Sequence, residues 1–174
     1  GFGCAEMQAA ISAAGALIDY VKHTQRAALP HINDLSIEQI SQYIQLDAST
    51  RRNLEIDTTL RGEATPTLYS LLNTTKTAMG ARLLRHWLHH PLRDRDFISK
   101  RHEAVANLIY KENYRTLQLS LKAVGDIERI TTRVALNTAR PRDLSGLRDS
   151  LLQLPGLQDL LGSSKAQLLE TLRS

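Results

Sequence analysis

The sequence has one cysteine, few aromatic residues and no long apolar run among its 174 residues. The single cysteine, Cys4, cannot form an internal disulfide, which excludes a small secreted fold held together by disulfide bonds. No run approaches the ~20 apolar residues of a membrane-spanning helix, which excludes an integral membrane protein. No basic region precedes an apolar stretch at the N-terminus, so no signal peptide is visible. We therefore expect a soluble, globular, cytoplasmic protein without a membrane partner.

Motifs that mark catalytic or cofactor sites are also absent. None of the nine glycines precedes a lysine, so the sequence has no P-loop for a nucleotide phosphate. It has no Gly-x-Ser-x-Gly motif, and nothing near Cys4 in the sequence marks it as a catalytic thiol. Glu55, Asp57 and Glu63 are separated by loop signals and do not define an acid–base pair. We expect no catalytic, cofactor-binding or metal-binding residue in this chain, and no enzymatic activity of its own.

The one cluster with metal-ligand spacing consists of His86, His89 and His90. At i, i+3 and i+4 these residues share one side of a helix. No cysteine lies nearby, and the pattern is not the His-Glu-x-x-His of zinc proteases. Histidines near the C-terminus of a helix interact favourably with the helix dipole. We therefore favour a polar helix surface over a metal site.

Apolar residues at helical spacing run through almost the whole sequence. The first segment, roughly residues 5–26, has Met7, Ile11 and Ile18 on one stripe, and Pro30 is expected to end it. The pattern predicts an all-α protein of about seven to nine helices in an irregular bundle or array. Further helices are expected over residues 48–55, 67–72, 77–90 and about 114–124, the last with Gly125 as its C-cap. Others are expected to start at residues 94, 126 and Pro141. A last helical run is expected after Pro155 and Gly156, through the leucines of 157–172.

The net charge of +4 is concentrated in residues 76–102, which hold seven lysines and arginines against two aspartates. A basic face of this kind can hold a phosphate backbone. The commoner interpretation is a solvated helix surface. The low aromatic content argues against a platform for stacking single-stranded nucleic acid.

Four sequence blocks resemble the MutS family of DNA mismatch-repair proteins, with bacterial members as the nearest fit. In family order they are LDASTRRNLEI at residues 46–56, TAMGARLLRHWLHHPL at 77–92, DIERI at 126–130 and ARPRDL at 139–144. Thr24-Gln25-Arg26 and Leu29-Pro30-His31 match as well. The resemblance covers about residues 5–155.

The resemblance implies the helical core, or lever, domain that follows a connector domain and precedes a DNA clamp. Residues 1–30 would link connector and core, and residues 31–174 would form the part of the core that precedes the clamp. The parent protein would be a homodimer that binds mismatched double-stranded DNA, ATP and magnesium through other domains. This chain has no Phe-x-Glu and no Walker A motif, so we expect it neither to read mismatches nor to hydrolyse ATP.

The implied role is mechanical, because packed helices transmit displacement between sites through repacking. We expect residues 50–56 and 80–88 to pack together as a joint, with Gly80 permitting close approach. Within residues 50–56, Arg51 and Glu55 are spaced for an i, i+4 ion pair. The alternative function is a helical module that binds a DNA backbone or a partner protein through residues 76–102.

The two ends of the sequence favour a segment of a longer protein. There is no initiator methionine, and the last residues follow a helical pattern without a stop signal. The family's core is completed by helices that return after the clamp, so we expect unpartnered apolar faces here. Self-association is expected through them, above all through the leucines of residues 157–172.

Overall fold

A computed structural model describes residues 6–25, 32, 40–110, 112–162 and 164–173. Cys4 and Pro30 lie outside the described residues. In the described part the chain is all-α, as predicted, and its one strand-like pairing is an isolated antiparallel bridge between Tyr43 and Leu92. A 3₁₀ helix spans Ile40–Gln42. The α-helices are α1 Gln8–Gln25, α2 Ala48–Asn53, α3 Leu68–Leu72, α4 Ala78–His89, α5 Arg95–Tyr110, α6 Asn113–Leu121, α7 Ile127–Ala135, α8 Pro141–Leu151, α9 Leu154–Leu161 and α10 Gln167–Arg173.

Side-chain caps set the starts of several helices, because the first amides of a helix have no partner within it. The predicted helix starts near residues 48, 94 and 126 are confirmed, and an aspartate caps each of them: Asp47 accepts the Thr50 N–H at 2.6 Å, Asp94 the Phe97 N–H at 3.1 Å, and Asp126 the Arg129 N–H at 3.3 Å. Pro141 occupies the first turn of α8, where its missing N–H costs no hydrogen bond. The capping aspartates and Pro141 therefore mark where these helices begin.

Three predicted boundaries are wrong. Helix α2 ends at Asn53, because Glu55 has a φ of 44° and its carboxylate accepts the Leu60 N–H at 2.7 Å instead of pairing with Arg51. Helix α6 ends at Leu121, ahead of Gly125, whose N–H donates to Ser150. Pro155 and Gly156 lie inside α9, since proline is tolerated in a first turn.

The last apolar run forms two helices, α9 and α10, and both are packed. Ala104 of α5, Ala166 and Leu169 are buried together, and the half-buried leucines around them are Leu108, Leu161 and Leu168. Helices α5, α6, α9 and α10 pack in one group, α7 packs on α8, and α3 packs on α4. Several of the C-terminal leucines are therefore buried or half-buried, although Leu172 is 66 % exposed, and self-association through them stays a prediction.

Exposed apolar side chains outnumber buried ones in the described part of the chain. Five apolar residues are buried, whereas twenty-five large apolar side chains are exposed. They occur on most helices, including α1, α3 and α4, and no described helix packs extensively against α1. The expected unpartnered apolar surface is thus present, and self-association through it stays a prediction. No described helix combines the length and the apolar character needed to span a membrane.

Candidate functional site: an ion-pair chain between sequence blocks

Helix α4 makes charged connections to its neighbours through its polar face. On its apolar face, Leu83 and Trp87 are 49 % and 40 % exposed, whereas Leu84 and Leu88 are half-buried. Arg82 and Arg85, on the opposite face, form ion pairs with carboxylates from distant parts of the sequence. The helical period is as predicted, but the polar face carries the charged connections. Periodicity shows which residues share a face and does not show what covers it.

Asp57 connects the first sequence block to α4. Its Oδ2 accepts a hydrogen bond from Arg85 Nε at 2.8 Å and lies 2.9 Å from His89 Nε2. The side chain of Asp57 is largely buried, and the Arg85 hydrogen bond is the main cause that holds the pKa of this carboxyl below its usual value. Asp57 directly follows residues 46–56, so the contact between the two blocks is polar.

Helix α3 provides the rest of the joint. The Leu68 N–H donates to the Glu55 carbonyl at 3.1 Å, and the Tyr69 N–H donates to the Ile56 carbonyl at 2.8 Å. The Tyr69 hydroxyl then reaches the Ala81 carbonyl on α4 at 3.4 Å. The prediction that residues 50–56 and 80–88 pack directly against each other is wrong, because Asp57 and α3 link the two segments instead.

Gly80 has a different role from the one predicted. A Cβ at Gly80 would lie 3.0 Å from Thr77 Oγ1 and 3.5 Å from Thr75 Cβ, both just ahead of α4. The Gly80 N–H itself donates to Thr77 Oγ1 at 3.0 Å. The glycine therefore leaves room for the N-cap of its own helix, and it does not mediate a close approach between helices.

Arg82 connects α4 to the third sequence block. Its Nη1 and Nη2 donate to the two oxygens of Asp126 at 2.8 and 2.6 Å, and Nη2 also lies 2.6 Å from Glu128 Oε2. A forked guanidinium–carboxylate pair is stronger and more directional than a single charged contact. The Arg82 hydrogen bonds are the main cause that lowers the pKa of Asp126, and the two carboxylates raise the pKa of Arg82.

Arg133 of α7 connects to the fourth block through Asp143 of α8, which is buried. The second oxygen of Asp143 accepts the Arg140 N–H at 2.9 Å. That backbone hydrogen bond, followed by Arg133, lowers the pKa of Asp143. We call the three pairs Asp57–Arg85, Arg82–Asp126 and Arg133–Asp143 the ion-pair chain. It links the four sequence blocks in order, with Asp57 directly after the first block and Arg133 three residues after the third.

Two family models match this chain. The model of MutS domain III matches residues 49–174, and the model of MutS domain II matches residues 1–33. The domain III match alone covers well over half of the sequence. The chain belongs to the MutS family. The resemblance of the four blocks is confirmed, and the family is one of DNA mismatch-repair proteins. The ion-pair chain lies wholly within the domain III match, whereas the division of the chain at residue 30 stays a prediction.

The three histidines of this MutS-family chain do not converge on a common point. His89 lies against Asp57, whereas the rings of His86 and His90 stack at 4.4 Å with Tyr43 edge-on to both. Among the described residues, no group of three or more histidine, cysteine, aspartate or glutamate side chains is placed to hold a metal ion. The arrangement is that of a polar helix end packed against an aromatic ring.

Three arginines of the basic segment 76–102 are engaged in contacts within the chain. Arg82 and Arg85 are engaged in the ion-pair chain, and the Arg101 guanidinium lies 3.8 Å from the centroid of the Trp87 ring and 4.9 Å from that of Phe97. The sequence pattern groups these arginines on one surface and does not reveal Asp57 and Arg133 as ion-pair partners. Asp57 directly follows the first block and Arg133 lies three residues after the third, and this closeness to the blocks is the signal that points to them.

Proposed function

We propose that this chain is the core segment of a MutS-family mismatch-repair protein and relays nucleotide state from an ATPase to a DNA clamp elsewhere in the parent protein. The observation that supports this role is the ion-pair chain. Each of its three pairs joins residues from different elements, and together they join all four blocks by which the family resemblance was found.

The form of these connections suits a relay. Coupling between distant sites requires elements that move as units and joints that have alternative arrangements. Helices α4, α7 and α8 are units of nine to twelve residues. Polar side chains make the joints of the ion-pair chain, and such pairs can break and re-form without opening a cavity in an apolar core. A shift of α4 would thereby change the positions of both Asp57 and α7.

In this proposal the chain itself is not an enzyme and binds no cofactor. ATP and magnesium bind to the ATPase of the parent protein, mismatched duplex DNA binds to its other domains, and the parent acts as a homodimer. The sequence supports this division, because it contains no Gly-Lys pair for a phosphate-binding loop. Direct DNA binding through residues 76–102 is the weaker alternative, since Arg82 and Arg85 are already paired with carboxylates.

Substitution of Arg82 in the full-length parent protein tests the relay. Arg82→Gln removes the middle pair, and we expect mismatched DNA to bind normally without nucleotide but to be released more slowly when ATP is added. The matched control is Arg148→Gln. Arg148 is paired with its sequence neighbour Asp149 at 2.7 Å, so its loss disconnects no elements. Normal release by the Arg82 variant, or equal impairment by the control, would contradict the proposal.

A binding titration of the 174-residue chain tests the alternative. Matched and mismatched duplexes are titrated by fluorescence polarisation over a series of salt concentrations. The relay role requires weak or absent binding without mismatch preference. Tight binding that falls steeply with salt would favour the basic-face alternative instead.

A further inference from the structure

A cleft of about 680 Å³ opens between the segment that precedes α2 and the start of α5. It is lined by residues 41–42 and 92–94 together with Phe97 and Arg101. None of its lining residues belongs to the ion-pair chain. The cleft therefore has no part in the relay proposed above, and its function is a separate question.

Arg101 is the unusual group in this cleft. Its guanidinium lies over the Trp87 and Phe97 rings, and no carboxylate in the described part of the chain forms an ion pair with it. Partial burial lowers the pKa of Arg101 below its usual value, as expected for a cation partly withdrawn from water without a counter-ion among the described residues. With aromatic rings against its face, the guanidinium retains N–H groups that can donate to a carboxylate.

Backbone hydrogen bonds hold the two walls of the cleft together. The Ile44 N–H donates to the Pro91 carbonyl at 2.8 Å, and the Arg93 N–H donates to the Gln42 carbonyl at 3.0 Å. The cleft is thus formed before any ligand arrives, which reduces the entropy lost on binding. The charge of Asp94 is directed to the first amides of α5, at 2.9 and 3.1 Å, which weakens its repulsion of an anion.

The lining of the cleft combines charge with apolar surface. Arg93 supplies a second cation, while Leu92 and Phe97 supply apolar contacts, and Phe97 is 39 % exposed. We propose that this cleft binds an acidic peptide segment of a partner protein, with a carboxylate on Arg101 and an apolar side chain against Phe97. A DNA duplex fits less well, because its affinity requires several cations along a phosphate backbone and the neighbouring Arg82 and Arg85 are already paired.

The tryptophan in contact with Arg101 is the only one in the sequence, so its emission reports on this site without interference. The probe is the peptide acetyl-Gly-Leu-Glu-Leu-Asp-Leu-Gly-amide, added to the 174-residue chain. We expect a saturable change in Trp87 emission. The same peptide with Gln and Asn in place of Glu and Asp should bind at least tenfold more weakly, since the charged hydrogen bonds are lost.

The neighbouring residues Lys100 and Arg101 provide a matched pair of variants. Arg101→Gln should weaken binding of the fluorescein-labelled peptide at least tenfold by fluorescence polarisation. Lys100→Gln removes the same charge from an exposed neighbour outside the cleft and should change binding less than twofold. Circular dichroism checks that each variant is folded, and Arg93→Gln, expected to weaken binding about threefold, provides a second test if Arg101→Gln is not.

Four outcomes would overturn the proposal. They are the absence of saturable peptide binding, equal losses from Arg101→Gln and Lys100→Gln, and tighter binding of a short DNA duplex that is lost with Arg101→Gln. The fourth concerns Asp34 and Glu38, acidic residues outside the described part of the chain. If Asp34→Asn with Glu38→Gln changes Trp87 emission without peptide, the chain supplies its own carboxylate to the cleft. The relay role does not depend on any of these results.

Discussion

Arg82 donates two nearly parallel hydrogen bonds to Asp126, from Nη1 at 2.8 Å and from Nη2 at 2.6 Å. Forty-four positions separate the two residues in sequence, so this pair connects the start of α7 to α4 across a long stretch of the chain. Asp126 is at the same time the N-cap of α7. One carboxylate therefore both starts a helix and connects that helix to another.

Because the pair is forked, charge alone should not replace Arg82. Arg82→Lys keeps the positive charge but loses the second hydrogen bond, and lysine does not reproduce the planar donor geometry. We expect Arg82→Lys and Arg82→Gln both to lower the midpoint of thermal unfolding, measured by circular dichroism. The decrease should be smaller for Arg82→Lys. A double-mutant cycle of Arg82→Gln with Asp126→Asn should show a clear coupling energy. The same cycle at Arg148 and Asp149 should show none, and equal couplings would refute the distinction.

Ser150 is the most deeply buried polar residue in the described part of the chain, with 1 % of its surface exposed. Its Oγ accepts the Gly125 N–H at 2.9 Å and donates to the Gly146 carbonyl at 2.7 Å. Ser150→Ala leaves the Gly125 N–H without this acceptor, which should lower the free energy of unfolding by about 1–3 kcal/mol in urea titrations. Ser145→Ala, at an exposed position of the same helix, should cost much less, and a similar cost at both sites would argue against this account.

The ion-pair chain should make the fold sensitive to acid. Hydrogen bonds from Arg85 and Arg82 lower the pKa values of Asp57 and Asp126 below the ordinary value of 3.8. The unfolded chain then binds protons more readily than the folded one as the pH falls. The stabilisation is fully present above about pH 4 to 5 and is lost as the pH falls through the folded-state pKa values. Urea midpoints from neutral pH down to pH 2 measure this loss.

The matched variant for the acid effect is Asp57→Asn, which removes one of the carboxylates of the ion-pair chain whose pKa is lowered. Its stability should be lower at neutral pH and should fall less steeply below pH 4 than that of the unmodified chain. If both proteins lose stability in parallel as the pH falls, Asp57 does not contribute to the acid sensitivity.

The buried cluster of α5 and α10 should depend on Leu169, which is 5 % exposed. Leu169→Ala removes apolar contacts and leaves a cavity, and we expect a loss of about 2–4 kcal/mol in the free energy of unfolding. Leu172→Ala, three residues further along the same helix but exposed, should change it by no more than about 0.5 kcal/mol. Equal effects at the two leucines would show that α10 is not packed on α5.

The exposed apolar surface leads to a prediction about assembly. We expect the 174-residue chain to self-associate, because isolated domains rarely leave so many large apolar side chains in water. Light scattering over a range of concentrations should show a mass that rises with concentration. Leu71→Gln on α3, whose leucine is 78 % exposed, should reduce the association if that face takes part. A constant monomeric mass would contradict the prediction.

Local features of the fold were predictable from the sequence. The helical period, the caps at Asp47, Asp94 and Asp126 and the position of Pro141 all depend on residues within one turn of each other. The family was also recognisable, because four short blocks in the right order carry it. Where the local reasoning was wrong, as at Gly125 and Glu55, a contact from outside the local pattern decides the backbone: Ser150 binds the amide of Gly125, and the Leu60 amide binds the carboxylate of Glu55.

The sequence by itself determined that this is an all-α chain of the MutS family with its positive charge concentrated in one segment. Only the tertiary structure decided which arginines of that segment are paired, that Asp57 and α3 form the joint, and that the C-terminal leucines close onto α5. The physical reason is that helix period and capping act over a few residues, whereas ion pairs such as Arg82–Asp126 depend on how distant helices pack.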